Sequence, residues 1–295
     1  VKNIIVLGNN DSPNHAENVL LTHGLPFFAH KEFDVQKISF IRQFTKETQI
    51  NGFGSGWETM VVPFNVQKIE SGGRVLMPFG DVDTDKGECP FWLFSANDTE
   101  WKGETSIFAN TPYLIAMPNH PFYADEFVVN GDVTFSSKVV TVPVTPDEID
   151  MKYSFGAGRT VSGNYEWISK NEGKLAINEM ATTYQNQDYQ PGGIFISNER
   201  DIAPFECFVE SQGARAIPVF DQSAVDDLLG DLGTRIWSER YSICIRSSIG
   251  MKIRIFDMVG QLIRIVNVKA GETVRVDDIT PGIYFVGTTK VMVKG

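Results

Sequence analysis

The sequence predicts an all-β protein: a large β-sandwich-type domain followed by a small β-sandwich at the C-terminus. Aromatic residues make up 12% of the chain, and 21 of its 295 residues are Phe. Together with many Val and Ile, these side chains suit a pleated, half-buried surface. The 26 Gly and 14 Pro residues are spread along the chain, as turns between many short strands require. No segment shows sustained 3.6-residue periodicity, so any helix should be short.

The first 32 residues contain two short apolar runs, Ile4–Leu7 and Val19–Leu21, separated by the turn-rich segment Gly8–Pro13. This pattern predicts two strands joined by an exposed loop. So small a segment cannot bury both faces of its strands. We therefore expect residues 1–32 either to pack on the strands that come after them or to be the end of a preceding region, and we assign residues 1–220 to the first domain.

From Phe33 to Phe220 a series of apolar runs predicts successive strands, each closed by Gly, Pro, Asn or Asp. The predicted strands are Val35–Phe44, Glu58–Phe64, Arg74–Phe79, Phe91–Phe94, Thr111–Met117, Glu126–Val129, Val139–Val144, Tyr165–Ser169, Lys174–Ile177, Gly193–Ser197, Phe205–Glu210 and Ala214–Phe220, with further strand residues at Ser154 and Val161.

Residues 221–237 differ in composition from the strands before them. They begin with a run that is rich in Asp and has Gly near its end. Two interpretations stay open for this segment. It is either a helical turn with Asp221 or Ser223 as N-cap and Gly230 as C-cap, or an exposed acidic linker between domains. We favour the linker, with room for a helical turn inside it.

Residues 238–295 contain the clearest pattern in the chain. Polar and apolar residues alternate along Lys252–Phe256, a turn follows at Asp257–Gln261, and Leu262–Val268 returns, which predicts a β-hairpin. The remaining strands of this module are predicted at Tyr241–Ser247, Thr273–Val276, Ile283–Val286 and Lys290–Val293. Six short strands are enough for a small immunoglobulin-like (Ig-like) sandwich of two sheets with a thin core.

Composition and charge exclude several classes of partner. The net charge of −11 and a pI near 4.9 disfavour nucleic acid and anionic membrane surfaces, because a phosphate backbone binds to basic faces. No apolar run approaches the ~20 residues that a membrane-spanning helix needs. The chain opens with Val1-Lys2-Asn3 rather than with a basic and then apolar leader, so we expect a processed or truncated start, with any signal sequence outside this chain.

The terminal module resembles a known family. Met251–Gly260, Gly271–Val274, Pro281–Val286 and Lys290–Lys294 are similar to the C-terminal β-sandwich modules of secreted and surface proteins of Bacteroidetes-type bacteria, which include the sorting domains of type IX secretion. This resemblance covers roughly the last 55 residues. It implies an exported protein that works outside the cell or at its surface.

The middle of the chain also resembles a β-rich region of large Bacteroidetes surface proteins, some of which bear leucine-rich repeats. The residues that carry this resemblance are Gly56–Phe64, Ala109–Pro118 and Pro204–Phe208. The repeats themselves are absent from this sequence, which fits the C-terminal part of a longer protein. The resemblance implies no catalytic residues.

One acidic cluster has the spacing of a metal site. Asp81, Asp83 and Asp85 stand at i, i+2 and i+4 in one loop, and carboxylates so spaced can converge on Ca²⁺. The segment departs from an EF-hand, because Lys86 stands where the sharp turn needs Gly and Trp92 stands where the bidentate Glu should be. A solvated acidic loop is the competing and favoured interpretation, so we expect no obligatory cofactor.

Aromatic side chains are the candidate ligand-binding residues. Five aromatic residues would serve a sugar-binding protein, because an exposed ring packs on the apolar face of a pyranose: Trp92, Trp101, Tyr113, Tyr123 and Tyr165. We choose Trp92, Trp101 and Tyr123 as the ligand-binding candidates. Trp101 is flanked by Glu100 and Lys102, and we expect it to be the most exposed of the three.

These observations favour a non-catalytic extracellular or cell-surface protein that serves as an interaction or adhesion scaffold for a protein or glycan ligand. Two alternatives stay open. The first is a carbohydrate-binding accessory module that uses exposed aromatic residues, with or without Ca²⁺. The second is a hydrolase whose site is assembled from loops, because pairs of carboxylates such as Asp125 and Glu126 can serve glycoside hydrolysis at a suitable separation.

Overall fold

The computed structural model describes residues 14–48, 55–78, 81, 86–98, 100–120, 125, 127–147, 151–156, 158–220, 234–247, 250–269, 271–286 and 289–295. The described residues contain no α-helix and fold into several sheets, so the predicted all-β, sandwich-type class is confirmed. No helix within them is long and apolar enough to cross a membrane. The chain divides into two compact units, Val1–Lys46 with Gly54–Met117 and Asn130–Val219, and Glu47–Phe53 with Pro118–Val129 and Phe220–Gly295.

The first unit contains a sheet of nine strands in the order β1-β2-β9-β4-β5-β6-β8-β3, with β7 paired to β6. Pairing is parallel between β1 and β2 and between β5 and β6, and antiparallel elsewhere in this sheet. The strands are β1 (His15–Thr22), β2 (Phe33–Gln43), β3 (Glu58–Met60), β4 (Lys68–Ser71), β5 (Arg74–Pro78), β6 (Cys89–Asn97), β7 (Glu100–Gly103), β8 (Tyr113–Ala116) and β9 (Asp132–Val142).

A second, antiparallel sheet of the same unit has the order β10-β11-β16-β12-β15-β17, and β13 and β14 form a separate hairpin. The strands are β10 (Lys152–Ser154), β11 (Arg159–Gly163), β12 (Leu175–Ile177), β13 (Thr182–Tyr184), β14 (Gln187–Tyr189), β15 (Ile194–Ser197), β16 (Cys207–Ser211) and β17 (Ala216–Pro218). A 3-10 turn at Lys170–Glu172 follows the cap residue Ser169.

Aromatic rings fill the space between these two sheets. The ring of Phe40 in β2 lies 4.8 Å from that of Phe205, two residues before β16, and the Phe205 ring in turn contacts those of Tyr165 and Phe27. All four side chains are buried, and a fully buried ring of this size contributes roughly 1.5–3 kcal/mol relative to an exposed one. The sheets therefore share one apolar core, as a sandwich requires.

The second unit contains a compact module of seven strands in two sheets, with orders β18-β19-β22 and β21-β20-β23-β24. The strands are β18 (Thr234–Glu239), β19 (Ser242–Ser247), β20 (Met251–Asp257), β21 (Leu262–Val268), β22 (Thr273–Val276), β23 (Gly282–Val286) and β24 (Thr289–Val293). Apolar residues at alternate positions of β20, Met251, Ile253 and Ile255, are buried in one core cluster. The module has two sheets, as the sequence predicts, but seven strands instead of the predicted six, because β18 was not predicted.

Three sequence predictions need correction. The linker predicted at 221–237 is wrong at its C-terminal end, because Thr234–Trp237 belong to β18, which pairs with β19 along its whole length. Residues 221–233 lie outside the described part of the chain. The strand predicted at Tyr165–Ser169 is also wrong: only an isolated bridge joins Ile168 to Ile202 there.

The third correction concerns the strand predicted at Glu126–Val129, whose described residues 127–129 are not strand. Five strands were not predicted, and hydrophobic residues are the minority in each of them: β4, β7, β13, β14 and β18. Ile4–Leu7, predicted as a strand, lies outside the described residues. The three cysteines are buried thiols, with Cys89 in β6, Cys207 in β16 and Cys244 in β19.

Candidate functional site

The prediction that Trp101 is exposed is wrong. Its relative exposure is 8%, and its ring packs 5.1 Å from Phe155 and 6.4 Å from Phe195. The reason is the period-2 geometry of β7, which turns Glu100 and Lys102 outward and the indole between them inward. Trp101 therefore belongs to the core and offers no platform to a ligand.

The other predicted site residues are buried or lie outside the described residues. Trp92 is 5% exposed, within a run of buried residues in β6. Tyr123, Asp83 and Asp85 lie outside the described part of the chain. Asp81 is exposed, and its backbone N–H donates to the carbonyl of Pro78. Among the described residues, no three His, Cys, Asp or Glu side chains come together as a metal would need.

A buried network of charged side chains lies in the first unit. Arg42 Nη2 donates to Glu58 Oε2 at 2.7 Å, and Arg200 Nη1 donates to Glu206 Oε2 at 2.6 Å. The two pairs are linked, because Arg42 Nη2 also lies 4.0 Å from Glu206 Oε1. Around them stand Lys46, whose Nζ is 4.0 Å from Glu58 Oε2, and His23, whose Nε2 is 3.9 Å from Glu206 Oε1.

The pKa shifts of this network follow from burial and from the two arginines. Burial alone would raise the pKa of Glu58, but Arg42, Lys46 and two backbone N–H donors outweigh it and lower that pKa below its usual value. Against the same effect of burial, Arg200 and Arg42 lower the pKa of Glu206. Burial and the nearby Arg42 lower the pKa of His23 to about 4.

These directions favour a structural role for the network. Both carboxylates are ionised and matched by arginines, whereas a general acid needs a raised pKa. Their hydrogen bonds also close backbone turns, since Glu58 accepts from the N–H groups of Thr45 and Lys46 and Glu206 accepts from that of Ala203. The network thus fixes loops of the first unit to its core.

An open cleft on the first unit has the chemistry of a ligand site. We call it the Trp167 cleft, and its volume is about 410 Å³. Trp167 is 56% exposed and Phe28 is 54% exposed, and large exposed aromatic side chains are informative because most are buried. The aromatic and charged residues of its lining that are exposed or half-buried are Phe28, Asp147, Glu166, Trp167, Glu172 and Lys174.

The loop that carries Trp167 is anchored on both sides of the indole. Asn164 is buried, its side-chain amide donates to the carbonyl of Glu166, and its Oδ1 accepts from the N–H of Glu166 at 3.0 Å. Tyr165 is buried and accepts a hydrogen bond from the N–H of Phe27. On the other side, Ile168 exchanges both backbone hydrogen bonds with Ile202. The exposed ring thus stands on a rigid backbone.

Phe28 is held in a similar way. Its neighbours Phe27 and Ala29 are buried while Phe28 itself is exposed, as alternation along an extended segment dictates. Ala29 donates its N–H to Thr145 Oγ1 at 2.8 Å and accepts from the N–H of Thr145 at 3.0 Å. The ring of His30 lies 4.6 Å from that of Phe28 at a steep angle.

The polar groups of the cleft are mostly acidic. Glu172 accepts from the N–H of Ser169 in a capping box, and the ammonium of Lys174 lies 4.1 Å from the centroid of the Phe208 ring. Glu166 and Asp147 are exposed, and within the described residues their carboxylates make no hydrogen bond or salt bridge. Three carboxylates against one ammonium give the cleft a negative potential.

Sequence reasoning missed this site. Trp167 has no local signal, since Glu166 and Ile168 beside it are ordinary strand or loop residues, and its exposure depends on partners about 35–140 residues away in sequence. The buried network had a signal that was overlooked: Glu58 and Glu206 each stand inside an apolar, aromatic segment, where a charge must find a partner. No family model, no curated protein and no solved structure matches this chain.

Proposed function

We propose that this chain is a non-catalytic interaction protein of the cell exterior and that it binds its ligand in the Trp167 cleft. The observation that carries the proposal is the exposed pair Trp167 and Phe28, presented on anchored backbone at the wall of an open cleft. Two large rings that are exposed do not contribute the stability that they would contribute if they were buried in the core. A surface that keeps them rigid is typical of recognition.

The non-catalytic part of the proposal is supported by the state of the ionisable groups. The buried acids Glu58 and Glu206 have lowered pKa values and are matched by arginines. Cys207, the thiol nearest this network, has its pKa raised to about 12 by burial, so it is not a thiolate nucleophile at neutral pH. The environments of Glu58, Glu206 and Cys207 thus favour structural roles for these side chains over catalytic ones.

The exterior location is supported by the resemblance of Met251–Gly260 and Pro281–Val286 to terminal modules of exported surface proteins. An adhesion scaffold fits a chain built from many short strands, since a sandwich presents loops at rigid positions. The carbohydrate-binding alternative is favoured by a specific observation, the two exposed rings of Trp167 and Phe28.

The test compares two exposed tryptophans. Trp167→Ala removes the platform of the cleft, whereas Trp237→Ala removes an indole that is 37% exposed on β18 of the second unit. Each purified protein is passed over immobilised mucin, extracellular-matrix protein and bacterial cell-wall polysaccharide, and binding is followed by interferometry. We expect wild type and Trp237→Ala to bind at least one surface and Trp167→Ala to lose that binding.

The same samples test the absence of catalysis. After long incubation, the supernatants are analysed by mass spectrometry for released peptides or sugars, and we expect none above the protein-free blank. Release of product that depends on the cleft would replace the proposal with the hydrolase alternative. Equal binding by both variants, or none by wild type, would refute the Trp167 cleft as the site of interaction.

A further inference from the structure

The shape of the Trp167 cleft restricts what can lie against its indole. Trp167 is 56% exposed, so a large part of its side chain is available to an apolar surface of a ligand. Phe28 adds a second open ring in the same cleft. Aromatic faces accept either the C–H face of a sugar ring, another aromatic group or a cation. The neighbouring polar groups argue against an anionic ligand and supply acceptors for hydroxyl donors, and the cationic probes of the experiment below test the remaining class.

Charge argues against an anionic ligand. The carboxylates of Asp147, Glu166 and Glu172 outnumber the ammonium of Lys174, which already lies over the Phe208 ring. The whole chain carries a net charge of −11 as well. A sulfated or carboxylated ligand would meet repulsion here, both at long range and in contact.

The hydrogen-bond acceptors of the cleft favour a ligand with many hydroxyl donors. Glu166 and Asp147 offer carboxylate oxygens to which no described residue donates, and ionised carboxylates are strong acceptors with room for several donors. A neutral sugar supplies adjacent O–H donors at its rim and a C–H surface on its face. The combination of open indole, open phenyl ring and uncommitted carboxylates matches that pattern.

The backbone that carries the exposed rings of the cleft is also preorganised. Asn164 fixes the backbone at Glu166, and Ile168 is held through Ile202, so Trp167 loses little backbone freedom when a ligand arrives. When the binding surface is already ordered, little entropy is lost on binding, so even the weak contact of a single ring contributes to affinity. The volume of about 410 Å³ is in the range of small-molecule sites.

We infer that the Trp167 cleft binds an uncharged glycan, with a pyranose ring stacked on Trp167 and its hydroxyls donating to Glu166 and Asp147. This inference rests on the proposed function, since it names the ligand class of the same cleft. It commits to neutral sugars over acidic sugars, and to sugars over organic cations.

The experiment titrates the full chain with three sets of probes by calorimetry and by intrinsic tryptophan fluorescence. The neutral set contains tetrasaccharides of glucose, mannose, galactose and N-acetylglucosamine. The acidic set contains sialyllactose and a glucuronate-containing tetrasaccharide, and the cationic set contains tetramethylammonium and trilysine. We expect saturable binding by at least one neutral probe, and at least ~10-fold weaker binding by every acidic and cationic probe.

Four variants give the inference its controls. Trp167→Ala should weaken binding of the neutral probe at least ~10-fold, Trp167→Tyr should weaken it less, and Trp237→Ala should leave it unchanged. Glu166→Gln keeps a side-chain oxygen that accepts a hydroxyl while it removes the charge. Because a charged acceptor binds a hydroxyl more strongly than a neutral one, Glu166→Gln should weaken neutral-sugar binding, but by less than Trp167→Ala does. A loss equal to or larger than that of Trp167→Ala would contradict stacking on the indole as the main contact.

Each remaining outcome overturns the inference. A preference for the acidic or the cationic set, or no binding by any neutral probe, shows that the ligand class is wrong. If the immobilised surfaces still depend on Trp167 in that case, the proposed function stands and the glycan inference alone fails. If Trp167→Ala changes neither measurement, both the inference and the proposed function fail.

Discussion

Arg42 Nη2 lies 2.7 Å from Glu58 Oε2, and both side chains are almost completely shielded from solvent. Arg42 belongs to β2, and Glu58 begins β3 at the far edge of the same sheet order. The pair therefore joins β2, the second strand of the sheet order, to the last strand, β3. Glu206, 4.0 Å from the same Arg42 nitrogen, extends the link to the second sheet of the unit.

Arg42→Met should destabilise the protein by about 3–5 kcal/mol, because it leaves two buried carboxylates without their shared cation. Thermal and urea unfolding monitored by circular dichroism measure the change. Arg215→Met is the matched control, since Arg215 is an exposed arginine of the same unit, and its effect should stay within about 0.5 kcal/mol. Equal effects of the two substitutions would show that the network contributes little.

His23 should make stability depend on pH between about 6.5 and 4. Burial and Arg42 lower its pKa in the folded state to about 4, so the unfolded chain binds the proton more readily in this window. Stability is then fully present above the unfolded value and is lost as pH falls toward 4, by no more than about 3 kcal/mol. Urea unfolding of wild type and His23→Gln at a series of pH values measures the slope.

The charged groups around the His23 ring are Arg42, Glu206, Glu58 and Arg200. Glu58 and Glu206 have lowered pKa values in the folded state. Their contribution to stability is therefore fully present above the usual carboxyl pKa and is lost only as pH falls below it, which is a more acidic range than that of His23. His23→Gln should therefore flatten the curve above pH 4 and leave the acid limb in place. An unchanged slope in the upper window would assign it to other histidines such as His120, whose pKa burial also lowers.

Gly192 should not tolerate a side chain. Its φ is +79°, and a Cβ at this position would lie 2.4 Å from the backbone nitrogen of Trp57 and 2.5 Å from its carbonyl oxygen. Gly192→Ala combines a left-handed backbone with a clash against a rigid segment, and should cost more than about 3 kcal/mol. Gly213→Ala shares the positive φ but has open space around it, so about 1–2 kcal/mol is expected. Chemical denaturation compares the two.

Trp101 and Trp167 should behave oppositely on truncation. Trp101→Ala opens a cavity beside Phe155 and Phe195 and should cost about 3–5 kcal/mol, whereas Trp167→Ala should leave the melting temperature nearly unchanged because the ring is mostly solvated. The indole N–H of Trp101 is buried with no hydrogen-bond partner in the described residues. Trp101→Phe removes that unsatisfied donor, so it should cost much less than Trp101→Ala.

The local sequence pattern predicted a strand correctly where buried and exposed residues alternate along it. The alternation in Lys252–Phe256 reads directly as β20, because one face of that strand meets the module core. The same rule, applied to Glu100-Trp101-Lys102, would have placed the indole inside. Flanking charges suggested an exposed loop, but on a strand they indicate that the residue between them faces the other way.

The candidate site could not be read from the sequence for a different reason. Trp167 is exposed because Tyr165 and Ile168 are tied to Phe27 and Ile202, and these pairings are set by the packing of distant segments rather than by neighbours in the chain. The network of Arg42 and Glu206 is likewise assembled across more than 150 positions. Composition can indicate that such charges need partners, but it cannot say which.

The placement of the cysteines offers a way to watch the protein move. Cys89, Cys207 and Cys244 are buried in three different sheets, so each of these three sheets contains one thiol that can report on its opening. A thiol reagent can reach such a group only when the surrounding structure opens, and burial raises the pKa of Cys207 to about 12, which suppresses its thiolate in the closed state. Labelling rates followed by peptide mass spectrometry would reveal whether the three sheets open together or one at a time.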